Sequence, residues 1–350
     1  MQLYNKLSSE EQSMLLDISK RKRTTLSFYQ YAHIKNPQIF RDKLFVSWNN
    51  LDVLGRIHVA FEGINAQLSL PNENFLKFQK HLDSISFLKG IRLNIAVEQE
   101  NKSFLKLTIK VRDKILADGL NDDSFDVTNK GVHLNANGFN DLMKQDNSII
   151  IDMRNHYESE IGHFKNAVLP DVDTFRDSLD IIEKDLSQHK EDKKLLMYCT
   201  GGIRCEKASA YFKHKGFKNV YQLEGGIIEY IRQVKENNLE NNFLGKNFVF
   251  DNRRAEKISN DIISNCHQCG SPFDVHTNCA NDACHLLFIQ CNECKTKMEN
   301  CCSYKCLEIK QMPRKLQKQL RRGQKNSNDI FKKGRTKNIT TFNEGFNNVL

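Results

Sequence analysis

Nine of the chain's eleven cysteines lie in one stretch, between Cys266 and Cys306, and their spacing narrows what that stretch can fold into. They run as Cys266-x2-Cys269, Cys279-x4-Cys284, Cys291-x2-Cys294, the adjacent Cys301-Cys302, and Cys306. Two thiolates at such spacing reach one tetrahedral ion, and two such pairs complete a structural zinc site. Nine sulfurs suffice for two ions, and a cross-braced pairing is among the arrangements that spacing leaves open. Four thiolates also suit an iron–sulfur cluster. Disulfides are the third alternative. The N-terminus, Met1 to Lys6, lacks the apolar region of a signal peptide, which favours thiols and metal ligands in a reducing cytosol. Histidines within such a segment (His267, His276, His285) are as often surface residues as ligands, so the expected ligand set is the nine cysteines.

The other two cysteines, Cys199 and Cys205, sit elsewhere and in a different setting. Leu195-Leu196-Met197-Tyr198 reads as a short apolar strand, Thr200-Gly201-Gly202 as a turn, and Arg204 to Lys215 as a helix. Cys199 therefore falls at a strand end, among inward-facing N–H groups, at the positive end of a helix and close to Arg204. All of these favour a nucleophilic thiolate. The alternative is a buried structural cysteine, but core packing requires neither the two glycines nor the arginine.

At 350 residues the chain has room for two or three domains, and it contains no run of about 18 apolar residues that would span a membrane. Residues 1–111 read as a helix (9–19, Ser9 as cap) followed by strand, helix, strand, strand, helix, strand. That is the order of a ferredoxin-like split βαβ module, an α+β unit. Within it, Arg56 and His58 are either phosphate contacts or exposed strand residues. Residues 112–135 read as a connector. Residues 136–240 alternate strands and helices at lengths that imply a mostly parallel α/β sheet covered on both faces. A ligand belongs beyond the carboxyl ends of such strands, where Cys199 falls. Residues 241–310 form the small Cys-rich metal-binding module, and 311–350 a basic tail, expected to be flexible. The net charge of +9 is concentrated there, with twelve Lys and Arg between Lys305 and Lys337 against Glu308 and Asp329. Such a tail suits a polyanion, or is simply a solvated extension.

Asp152-Met153-Arg154, Tyr157-Glu158, Gly162-His163-Phe164-Lys165-Asn166-Ala167, the loop from Cys199, and Leu223-Glu224-Gly225-Gly226 together resemble a rhodanese domain. In that family the loop cysteine carries sulfur as a persulfide. The loop Cys199-Thr200-Gly201-Gly202-Ile203-Arg204-Cys205 is more similar to one subgroup, the bacterial rhodanese-related tRNA uridine hydroxylases. Gly63-Ile64-Asn65-Ala66 and Phe248-Val249-Phe250-Asp251 carry the same likeness, which spans about residues 20–310. The resemblance implies a cytoplasmic enzyme that converts wobble uridine 34 to 5-hydroxyuridine with O2 as co-substrate, with Cys199 essential and the anticodon region of tRNA as partner.

Two other functions stand beside this one: a sulfurtransferase carrying a Cys199 persulfide, and an RNA-binding protein with an inactive rhodanese unit. The intact loop cysteine argues against the latter. The sequence holds no flavin or nicotinamide fingerprint and no assignable His-His-carboxylate triad. Cys199 is expected either to add to uracil C6 or to carry an oxidised or sulfane-sulfur species, and Cys205 either to resolve Cys199 or to pack in the helix core.

Overall fold

The computed structural model describes residues 5, 7–121 and 124–322. Its first helix, α1 (Ser9–Ser19), is capped by Ser8, one residue earlier than the sequence suggests. The Glu11 N–H donates to the Ser8 hydroxyl and the Ser8 N–H to the Glu11 carboxylate, a capping box. The N-terminal sheet follows from β1 (Arg23–Tyr31), β2 (Leu54–Ala60), β3 (Gly63–Pro71), β4 (Asn94–Ile95) and β5 (Leu107–Val111). It is backed by α2 (Pro37–Asn50) and α3 (Phe75–Asp83). The strand order β4-β1-β3-β2-β5 is the ferredoxin-like arrangement with one strand added, β5 lying parallel to β2 at the edge. The β2–β3 turn is tighter than the four residues read from sequence, because β3 already begins at Gly63, opposite Ala60.

Alternation along these strands separates two faces. Leu26, Phe28, Ile57, Val59, Ala66 and Leu68 point to the helices and surround Trp48, which is fully buried. Phe28 and Phe78 pack against the Trp48 ring, so truncating any of the three to alanine should cost about 3–5 kcal/mol. The opposite face carries Thr25, Ser27, Tyr29, Asn65 and Gln67. It turns toward the second domain.

That domain is built on a parallel sheet in the order β6-β10-β9-β7: β6 (Val132–Leu134), β7 (Ser148–Asp152), β9 (Lys194–Tyr198) and β10 (Asn219–Leu223). The edge strand β6 lies inside the stretch 112–135 that reads as a connector. It is only three residues long and has no pattern of its own, so its pairing with β10 is what makes it a strand. The helices are α4 (Ala136–Met143), α5 (His156–Ser159), α6 (Phe175–Asp185), α7 (Ile203–His214) and α8 (Gly226–Asn237). Leu195 and Met197 of β9 pack with α6 and α7, and Leu196 and Tyr198 with α4 and α8, so the sheet is covered on both faces.

A short strand β8 (Gly162–Phe164) pairs with β11 (Phe243–Phe248), and β11 with β12 (Ala255–Lys257). This small sheet ties the parallel domain to the Cys-rich module, which contains the hairpin β13 (His276–Asn278) and β14 (Leu287–Ile289) and the helices α9 (Asn292–Lys297) and α10 (Tyr304–Gln311). The basic tail begins with a helix, α11 (Arg314–Arg321), and Arg321 pairs with Asp282. Its remaining basic residues, Lys325, Lys332, Lys333, Arg335 and Lys337, lie outside the described residues. Among the described residues no helix is long and apolar enough to cross a membrane.

Candidate active site and metal centres

Strand β9 is central in the parallel sheet, and Cys199 is the first residue beyond its carboxyl end. The chain turns at once into α7. Gly202 takes a φ of +100°, and its N–H donates to the Cys199 sulfur at 3.1 Å. A Cβ on Gly202 would lie 2.8 Å from the Tyr29 hydroxyl, so this glycine is needed twice over. The first N–H groups of α8 fix the loop from behind: Ile227 donates to the Cys199 carbonyl and Ile228 to that of Thr200. A Cβ at Gly226 would sit 2.5 Å from the Cys199 carbonyl oxygen, which accounts for the second glycine pair.

Burial pushes the Cys199 thiol up, yet it ends at about 6, below its ordinary 9.0. A hydrogen bond from the Cys205 thiol, the charge of Arg204, and the N–H groups of Cys205 and Arg204 more than offset the burial. The expected thiolate is therefore supported by geometry and charge together. Arg204 acts through its charge: its guanidinium is spent on Glu158 of α5, at 2.7 and 2.8 Å. Both members of the pair are buried, and the Phe250 ring lies against the arginine. Removing either partner would leave a buried unpaired charge, at a cost of about 3–5 kcal/mol. Asp152 and Arg154 form a second buried pair, with Tyr198 donating to Asp152 at 2.8 Å. That pair braces the end of β7 and β9 from within.

Of the expected loop residues, Cys199, Thr200, Gly201, Ile203 and Arg204 line a single cavity. Gly202 and Cys205 lie behind them, and Cys205 is fully buried in the core between β9 and α7. The remaining walls are residues that sequence reasoning did not place there. Ser27, Tyr29, Asn65, Gln67 and Asn94 come from the outer face of the N-terminal sheet, and Val249, Phe250, Asp251 and Arg253 from the stretch after β11. Asn94 donates to the Gly201 carbonyl at 3.4 Å, while its Oδ1 and the Thr200 hydroxyl are buried without a partner. Such polar atoms at a cavity wall are available to a ligand. Tyr29 donates to Glu206 at 3.2 Å, and Glu206 also accepts from His133 and Lys130. Burial, followed by the Glu206 charge, holds the Tyr29 hydroxyl well above its ordinary value, so it stays a protonated donor. The alternation of polar side chains in β1 and β3 was the available signal for this face, but nothing in it says what the face meets.

The cysteines of the third module form two groups of four. Cys266, Cys269, Cys291 and Cys294 make one; Cys279, Cys284, Cys302 and Cys306 make the other. The first pair thus joins the third and the second joins the fourth, a cross-braced order. Cys301 belongs to neither group. It is buried beside its neighbour with its sulfur 3.9 Å from the Glu299 carbonyl. In each group the sulfurs lie within 4.8 Å of one another, with separations of 3.6 Å for Cys269–Cys291 and 3.7 Å for Cys284–Cys302 and Cys302–Cys306. A tetrahedron with metal–sulfur bonds of about 2.3 Å has edges of about 3.8 Å, so both groups fit a metal ion. The N–H groups of Cys291 and Cys302 point at the sulfurs of Cys266 and Cys279, as bound thiolates require. His267 and His276 stand outside both groups, and His267 pairs with Glu160 at 2.6 Å.

Fold and site define a three-part protein of rhodanese type, with a loop thiolate enclosed by its flanking modules. Residues 23–115 match the UPF0176 acylphosphatase like domain, 135–233 the Rhodanese-like domain and 244–307 the Rhodanase C-terminal family. Over 333 residues the chain is 54% identical to the tRNA uridine(34) hydroxylase of Leptospira interrogans serovar Lai, covering 95% of this chain and 90% of that one. It is 49% identical to the protein of that name from Photorhabdus laumondii and 50% identical to that from Yersinia pestis, again over 95% of this chain and 95% and 94% of theirs. The chain belongs to the tRNA uridine(34) hydroxylase family.

Proposed function

We infer that the protein hydroxylates C5 of uridine 34 in the anticodon of tRNA, in the cytoplasm, with O2 as co-substrate. The observation that carries this reading is the composition of the Cys199 cavity. Its walls come from all three modules, whereas sulfur transfer by a persulfide needs the rhodanese loop alone. Cys199 is only 1% exposed, so a reacting base has to be drawn out of its stack and inserted, as anticodon bases allow.

In this mechanism the Cys199 thiolate adds to uracil C6, forming an S–C6 bond and placing the electron pair on C5 and O4. Arg204 and the loop N–H groups hold the thiolate beforehand. The enolate-like C5 takes up one electrophilic oxygen equivalent derived from O2, whose second oxygen atom requires two electrons from an external reductant. Loss of the C5 proton and departure of the thiolate then restore the C5–C6 double bond. Tyr29 and Asn94 offer polar groups on the wall facing the loop. Cys266, Cys269, Cys291 and Cys294, and separately Cys279, Cys284, Cys302 and Cys306, would each hold one structural zinc ion, which shapes the third wall and takes no part in the chemistry.

The test is mass spectrometry of wobble nucleosides from cells with and without the gene, complemented by the wild type or by Cys199→Ala. Loss of oxygen at C5 without the gene supports the hydroxylase. Loss of sulfur with C5 oxygen intact would replace it with the sulfurtransferase reading.

A further inference from the structure

The outer face of the N-terminal sheet has two halves. Along β4, β1 and β3 it forms a wall of the Cys199 cavity. Along β2 and β5 the same face runs out into solvent. There the parallel register sets Arg56 beside Thr108 and His58 beside Lys110, and Arg112 follows one step beyond β5. Ile57, Val59 and Ile109 point the other way, into the core. Alternation therefore brings Arg56, His58, Lys110 and Arg112 to one surface. Arg56, Lys110 and Arg112 are exposed, and none of them has an ion-pair partner among the described carboxylates. His58 is half-buried among them, and burial, followed by the charges of Arg112, Arg56 and Lys110, holds its ring below its usual value. Like charges set side by side on a sheet oppose folding. A bound polyanion would remove that repulsion.

A second observation gives this stripe a direction. Arg56, Lys106 and Arg254 line an open groove between the N-terminal sheet, the stretch after β11 and the Cys-rich module. Groove and Cys199 cavity share Phe104, Val249, Phe250 and Asp251 as walls, so the two lie side by side. Basic side chains thus stand beside the cavity, and an aromatic ring, Phe250, is a wall of both.

We propose that this stripe and groove seat the single-stranded sugar–phosphate backbone on either side of the base that enters the Cys199 cavity. Arg56, Lys106, Lys110 and Arg112 are the phosphate contacts, and Phe250 is the edge over which the base turns. The assignment rests on the reading above that the substrate is a base in RNA. Phosphate contacts of this kind position the strand and carry no sequence information, so their removal weakens binding whatever the RNA sequence.

The experiment uses the full chain, a fluorescent anticodon stem-loop RNA with uridine at the wobble position, and anisotropy titrations at several salt concentrations. The variant is Arg56→Gln/Lys110→Gln/Arg112→Gln. The control is Lys184→Gln/Lys218→Gln, two exposed lysines near the opposite, amino-terminal end of the parallel strands. The triple variant should bind at least about tenfold more weakly, with its salt slope reduced by about 2, at about 0.7 per lost phosphate contact. The control should bind as the wild type does, and its rate at saturating RNA should be unchanged. An unchanged Kd and slope in the triple variant, or an equal loss in the control, would overturn the assignment and leave the stripe to an acidic protein partner. Wild-type protein that binds through these residues yet leaves the uridine unmodified would sink the hydroxylase reading alone. Wild-type protein that hydroxylates, with the triple variant binding as tightly, would sink the stripe alone.

Discussion

Cys205 is the neighbour on which the reactivity of Cys199 depends most directly. Its thiol is the first of the groups that draw the Cys199 thiol down to about 6. Burial and the adjacent sulfur hold Cys205 itself well above its ordinary value, so it remains a donor. Hydrogen bonds to charged groups contribute about 1.5–3 kcal/mol, which corresponds to about one to two pH units. Cys205→Ala removes the donor and leaves the fold's small apolar packing, so Cys199 should titrate at about 7–8. Wild-type Cys199 is about nine-tenths thiolate at pH 7; the variant would be between about a half and a tenth. Cys205→Ser keeps an O–H donor and should stay close to the wild type, whereas a resolving role for the second thiol would make serine as damaging as alanine. The assay is the pH dependence of iodoacetamide alkylation, followed by mass spectrometry on the peptide that contains Cys199, since nine other thiols are clustered elsewhere. Alkylation at pH 7 should fall about two- to tenfold in Cys205→Ala and converge with the wild type near pH 9. An inflection that stays at about 6 in Cys205→Ala would refute the argument that this hydrogen bond holds the thiolate.

Cys199→Ala should abolish the nucleoside modification while leaving circular dichroism unchanged. Because the folded thiol titrates below its ordinary value, its stabilisation is complete above pH 9.0 and is lost as pH falls to about 6. Exchange protection of the β9 amides, compared between wild type and Cys199→Ala, should therefore diverge by about 1.4 kcal/mol per pH unit within that window and stay parallel below it. Metal analysis of the purified chain should find two zinc ions, and a chelator should unfold residues 266–306 before the rest; metal-free protein of full stability would contradict this. An RNA carrying 5-fluorouridine at the wobble position should form a covalent adduct with wild-type protein under turnover conditions but not with Cys199→Ala. Tight binding without an adduct would rule out addition at C6.

Local chemistry was legible in the sequence wherever a few neighbouring residues determine it. The strand before Cys199, the glycines that turn the chain and the helix that follows are all set within about a dozen positions, and each appears in the structure. Cysteine spacing likewise indicated metal groups, but the cross-brace depends on which loops fold back onto which. Cys301 and Cys302 are adjacent, and only the backbone decides that Cys302 enters the second group while Cys301 turns to the Glu299 carbonyl. The short strands β6 and β8 were not legible for a related reason. Three residues carry no periodicity, and their strand character comes from β10 and β11, far away in sequence. Glu158, the partner of Arg204, was visible as part of a motif, but its role appears only when α5 and α7 are brought together.

The enclosure of Cys199 is the property that depends on the whole chain. Within the rhodanese unit, Gly226 and the first turn of α8 support the loop from behind, but the side that faces a substrate is closed by other modules. Tyr29 lies against Gly202, Asn94 holds the Gly201 carbonyl, and Phe250 covers Arg204. A chain reduced to residues 135–233 would keep the loop and lose these three contacts, leaving the substrate side of the sulfur open. With them in place Cys199 is 1% exposed, the walls offer unpartnered polar atoms, and the basic groove lies beside the cavity. The same loop thus changes what it can react with according to what surrounds it. A free thiolate suits sulfur exchange, whereas an enclosed one requires a substrate that carries its own means of reaching in, as a base on a phosphate backbone does.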